Sequence, residues 1–149
     1  MRRMESRFEY RDAYYDDLMR VYREALMKAE VGARQADVVR MAVNMEASRF
    51  WVSETRALKV VSMMIKGGKI RERVMRKMRR NTREMYSEIY RRVRRRMSEG
   101  ELLKEAVYAV CNEKAPRMYV SESSFIVLMS RYKKEWFEKR RKRLLSAGQ

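Results

Sequence analysis

The residues best placed to do chemistry in this sequence are its cations. Three runs stand out: KGGKIRERVMRKMRR at 66–80, RRVRRR at 91–96 and KRRKR at 139–143. Guanidinium and ammonium groups at this density neutralise phosphates and release the counterions condensed on a polyanion. Apolar residues interrupt the first two runs at helical spacing (Ile70, Val74, Met78; Ile89, Val93, Met97), so these read as ordered helix surfaces rather than loose tails. The candidate phosphate contacts are Lys66, Arg76, Lys77, Arg79 and Arg80 in the first run and Arg91, Arg92, Arg94, Arg95 and Arg96 in the second. Arg140 and Arg141 supply them in the third.

Across the 149 residues, 37 Lys+Arg oppose 20 Asp+Glu, a net charge of +17. Solubility of a small domain needs only about 2–8 charges, so the excess points to a polyanionic partner. It is unevenly placed. Residues 1–66 hold 13 basic and 10 acidic residues (net +3), and residues 67–149 hold 24 and 10 (net +14), which together give +17. The second half is expected to carry most of the contact. The first half is left for a protein partner or for self-association.

Catalysis is not expected. There is no His, which removes the commonest general base and metal ligand. Gly67-Gly68 has neither the pattern nor the preceding strand of a phosphate-binding loop, and the acidic residues are spread along helices. No metal and no cofactor are expected. A single Cys rules out an internal disulfide and suits a reducing compartment. The opening MRRMESRFEY lacks the apolar run of a signal peptide, and no stretch approaches the roughly 18 apolar residues of a membrane span. A soluble, cytoplasmic protein without a membrane partner is expected.

The elements that must position these cations come from a repeat. Residues 47–55 read ASRFWVSET and residues 115–123 read APRMYVSES, with Ala47/Ala115, Arg49/Arg117, Val52/Val120, Ser53/Ser121 and Glu54/Glu122 identical. The same register pairs Val43 with Cys111, so the lone thiol reads as core filling. Upstream the register shifts by three residues, between helices, where YDDLMR meets YSEIYR. Each copy reads as three helices. In the first, Ser6 with Glu9 forms a capping box before a helix to about 29, a second helix spans 33–45, and Ser53 caps a third over 54–66, ended by Gly67-Gly68. In the second, Asn81 with Glu84 opens a helix to about 97, another spans 101–111, and Ser121 caps a last helix to about 145. The predicted architecture is all-α, a tandem duplication of a three-helix, helix-turn-helix-like unit. One unit covers 1–66, a basic linker or helix extension covers 67–80, and the second unit covers 81–149.

The loop residues carry two readings each. Trp51 and Tyr119 read as packing on their own unit's core, with base stacking the alternative. Arg49 and Arg117 sit just before a helix N-terminus, where a phosphate would meet both the guanidinium and the free N–H groups. They would serve equally by satisfying nearby carbonyls. In a helix-turn-helix the second helix of the pair enters the major groove. Here that would be each third helix, with Arg56, Lys59, Met63 and Lys66 on one face of the first and Ser124, Val127, Arg131 and Lys134 matching them on the second. A plain solvated face is the alternative, and the loop exceeds the motif's 3–4-residue turn.

The segments ASRFWVSE and APRMYVSE resemble a motif of small basic proteins from gut bacteria, their mobile elements and their phages. The resemblance covers about a third of the chain, and Ser48 departs from it where Pro116 stands in the second copy. It implies a mobile-element or phage setting and no particular activity. The functional expectation is a non-enzymatic nucleic-acid-binding protein, with DNA favoured over RNA. A scaffolding protein of a phage particle and an RNA-binding protein are the alternatives.

Overall fold

The computed structural model describes residues 7–148, which form helices α1 (Arg7–Lys28), α2 (Gln35–Val43), α3 (Glu54–Lys66), α4 (Gly68–Arg76), α5 (Arg80–Ser98), α6 (Leu103–Cys111) and α7 (Glu122–Ala147). There is no strand among the described residues. The protein is all-α, as expected. The segment 67–80, left as linker or extension by the sequence, contains a helix of its own. Gly67 and Gly68 make that possible. Both take positive φ (67° and 56°), which glycine adopts without a Cβ penalty, so α3 stops and α4 starts at once.

Ser53 and Ser121 cap as predicted. Their hydroxyls accept from the backbone N–H of Arg56 and of Ser124, each at 3.1 Å. The capping box at Ser6 lies outside the described residues. The one at Asn81 does not form, because α5 begins at Arg80 with Arg79 as an uncapped N-cap residue. Arg117 has taken both partners: it donates to Asn81 Oδ1 at 3.2 Å and to Glu84 Oε2 at 3.1 Å.

The chain forms two compact units, and they do not follow its two halves. One contains α1, α2 and α7. Tyr15, Leu18, Val21 and Ala25 of α1, Val38, Val39, Ala42 and Val43 of α2, and Phe125 and Met129 of α7 are buried in it. Ring contacts tie the third helix to the first: Tyr15 to Tyr132 (5.0 Å) and Tyr22 to Phe125 (6.4 Å). Arg11 pairs with Glu135, and Arg40 of α2 donates to Glu122 at 3.4 Å.

The other unit, Asn44–Val120, contains α3 to α6. Its core is Phe50, Ala57, Val61 and Met64 from the first loop and α3, Tyr86, Ile89 and Val93 from α5, and Ala106, Val107, Val110 and Cys111 from α6. Here the matched alanines of the two loops meet. Ala47 N–H donates to Ala115 O at 2.9 Å and Ala115 N–H to Ala47 O at 3.1 Å, an isolated antiparallel bridge. Phe50 N–H reaches Cys111 O at 3.2 Å, and Asn112 Nδ2 donates to Glu54 at 2.9 Å. So α3 packs with α5 and α6, and α7 with α1 and α2.

Candidate nucleic-acid interface

Within Asn44–Val120 the cations divide into those held by the protein and those left to solvent. Arg49 belongs to the first group. It is 8% exposed, and its guanidinium donates to Phe50 O (3.0 Å) and Val52 O (3.1 Å). Of its two readings the carbonyl-satisfying one describes the geometry, because a buried fork already spent on the loop has no face for a phosphate. Trp51 beside it is half-buried, with the Arg49 guanidinium 5.3 Å from its ring centroid.

The RRVRRR run is mostly in the same group. Arg91 and Arg92 both bind Glu88 (3.1 and 2.9 Å from Nε), and these hydrogen bonds, Arg91's foremost, hold the Glu88 carboxyl below its ordinary range. Arg92 also donates to Lys114 O at 2.9 Å. Arg96 bridges Glu101 (2.8 Å) and Glu113 (3.3 Å), and Arg95 approaches Glu99 at 3.9 Å. Arg80 is paired with Glu84 at 3.1 Å. Of the run only Arg94 is exposed with no carboxylate partner among the described residues.

A shallow depression of about 690 Å³ lies over this network, lined by Arg80, Arg83, Glu84, Glu88, Arg117 and Tyr119 among others. Tyr119 stacks on Phe50 (6.1 Å, 15° between planes), with Arg117 5.6 Å from its ring and Arg92 5.0 Å from that of Phe50. Tyr119 has φ 54°, an uncommon conformation for a bulky residue. The stack of two cations and two rings is what surrounds it.

The second group lies mostly on α4 and next to it in sequence. No residue of α4 is buried. Arg71 lies over the Tyr90 ring of α5 at 4.8 Å. Lys66, Lys69, Arg73, Arg76, Lys77, Arg79, Arg83 and Arg94 are exposed and have no carboxylate partner among the described residues. Lys69, Arg73 and Arg83 were not among the candidates read from the sequence. On α3, Arg56, Lys59 and Lys66 are exposed and Met63 half-buried. The buried Tyr86 has its phenol raised chiefly by burial, with the Arg56 charge opposing the rise.

In the other unit the matching face of α7 is also open: Ser124, Val127, Arg131 and Lys134 are all exposed. Arg140 and Arg141 are exposed as well, with Arg140 5.3 Å from the Trp136 ring centroid.

Cys111 is fully buried, and burial pushes its thiol up to about 12. It fills core space as a neutral thiol. Among the described residues no group of His, Cys, Asp and Glu could hold a metal ion, and no helix is long and apolar enough to cross a membrane. Comparison with models of protein families, with curated proteins and with solved structures finds no match.

Proposed function

We propose that this chain binds nucleic acid without catalysing a reaction on it, and that it takes duplex DNA in preference to RNA. The observation that carries the reading is the set of exposed cations without a carboxylate partner among the described residues on α4 and next to it in sequence, Lys66, Lys69, Arg73, Arg76, Lys77, Arg79 and Arg83, about a helix that contributes nothing buried to the core. A helix with one face on its neighbour and charge elsewhere suits a phosphate backbone, where each cation releases counterions. The open faces of α3 and α7 would read base edges in a major groove, which A-form RNA makes too narrow for side chains to enter.

The same proposal extends to the architecture. The chain is a duplicated three-helix unit whose third helices are exchanged, α3 completing the second copy and α7 the first. The equivalence of the packing partners supports it, as does the reciprocal bridge between the matched Ala47 and Ala115. A setting in a mobile element or phage accords with the loop motif.

Gel-shift titration of the full chain against duplex DNA, single-stranded DNA and structured RNA over a range of salt tests the reading. Duplex is expected to bind best, with log K falling steeply with log salt. Arg131→Ala or Arg56→Ala is expected to change preference among duplex sequences, a base contact being worth about 1–3 kcal/mol of discrimination. Poor affinity for every nucleic acid at low salt would overturn the proposal and favour a scaffold with an acidic protein partner.

A further inference from the structure

Beyond Glu135, which pairs with Arg11, α7 has no role in the packing described above. Beyond Met129 no residue of the helix is buried, yet it carries Trp136 (44% exposed) and Phe137 (61% exposed), their rings edge to face at 5.0 Å and 81°. Large aromatics on a solvated helix call for an occupant. The charge around them restricts what it can be: residues 133–143, KKEWFEKRRKR, hold seven cations and two carboxylates. A second copy of this helix would meet like charge.

Helix geometry narrows it further. Side chains three and four apart share a face, so Lys133 and Arg140 each lie one turn from both rings, one on either side. The aromatic pair is bracketed by cations along its own face. A strand of unpaired nucleotides meets both needs at once, because its bases offer π-faces to the rings and its phosphates meet the flanking cations.

We infer that the distal half of α7 is a stacking platform for single-stranded DNA, with Trp136 and Phe137 taking bases and Arg140 and Arg141 taking phosphates, while Lys133 lies over the Tyr22 ring at 5.6 Å. This rests on the nucleic-acid reading for its ligand class but uses none of the cations on or next to α4.

The chain has two tryptophans, so Trp51→Phe leaves Trp136 as the only indole reporter in the full-length protein. Titration with oligo(dT) is expected to quench Trp136 emission strongly. An equal length of duplex, whose bases are already stacked, is expected to quench it little. Phe137→Ala, at an exposed position that leaves the fold intact, is expected to weaken oligo(dT) binding by roughly 5- to 150-fold, the range for losing one stacked base, and to leave duplex binding unchanged. Unaltered Trp136 emission on saturation with oligo(dT) would overturn the platform even where duplex still binds through α4. Equal quenching by duplex would overturn it too. A blue shift with phosphatidylserine-containing vesicles and none with oligo(dT) would replace it with an anionic membrane surface.

Discussion

The division of the cations into paired and unpaired makes a prediction that binding and stability can be perturbed separately. Consider replacing Lys69, Arg73, Arg76 and Lys77 together by Ala. None has a carboxylate partner among the described residues and none is buried, so the fold loses no ion pair, and Ala is the best helix former. The melting temperature is expected to hold. Each phosphate contact contributes about 0.9 to the slope of log K against log salt on B-DNA, so if all four meet phosphates the slope becomes shallower by up to about 3.6. Arg92→Ala is the contrasting change. Its side chain is 24% exposed, binds Glu88 at 2.9 Å, and donates to Lys114 O. A partly exposed ion pair is worth about 0.2–1 kcal/mol, and with the carbonyl bond the expected loss is about 1–2 kcal/mol, a few degrees in melting temperature for a chain of this size. The slope should hardly move. Fluorescence-anisotropy titrations at several salt concentrations, beside thermal melts by circular dichroism, measure both quantities. If Arg92→Ala flattens the slope as much as the loss of one α4 cation, the ion pairs open to phosphate and the division fails. If the four-site variant melts early, α4 is a structural element and its cations are not free.

Two further outcomes follow from the caps and the buried thiol. Ser53→Ala and Ser121→Ala each remove the hydroxyl that accepts a helix N–H at 3.1 Å and are expected to cost about 0.5–2 kcal/mol in denaturant titrations; no change at either would mean the helix start is held by packing alone. Cys111, with its folded value raised to about 12 from an ordinary 9.0, favours the folded state fully below pH 9. That contribution is lost as pH rises from 9 toward 12, because the unfolded chain gives up the proton first. The native thiol should resist Ellman's reagent, and Cys111→Val, which places there the residue found at position 43 in the matched register, should lose less melting temperature as pH climbs through that window. Rapid labelling of the native protein would contradict the burial.

Helix content was legible in the sequence because it rests on local signals. Apolar spacing marked the helices, and Ser53 and Ser121 marked two starts to the residue. The partner of each helix was not legible. An amphipathic pattern says that a face is buried, not what buries it, and the repeat makes the ambiguity acute. The third helices follow matched caps and loops and offer similar apolar faces, so either could close either pair of helices. Contiguity in sequence suggested units of 1–66 and 81–149. The structure instead joins α7 to α1 and α2, and the decisive contacts are long-range ones such as Tyr15 with Tyr132 and Phe50 N–H with Cys111 O.

The cation surface was half legible, and the missing half could have been read by a stricter rule. Density alone put RRVRRR among the candidate phosphate sites. Carboxylates three or four residues away on a helix are what neutralise such runs, and the sequence places Glu88 at that distance from Arg91 and Arg92, Glu84 from Arg80, and Glu99 from Arg95. The same test finds no acid at those spacings for Lys66, Arg73, Lys77, Arg79, Arg83 or Arg94, six of the eight exposed cations named above as having no carboxylate partner among the described residues; it fails for Lys69 and Arg76, which have Glu72 at those spacings and do not pair with it. What no spacing could disclose are the pairs made across the fold: Arg96 with Glu113, Arg117 with Glu84, and Arg49 folded back on its own loop. A basic run is therefore a candidate interface only after its local carboxylates are subtracted. By that measure the candidate phosphate contacts move from the densest run, on α5, to the sparser one around α4.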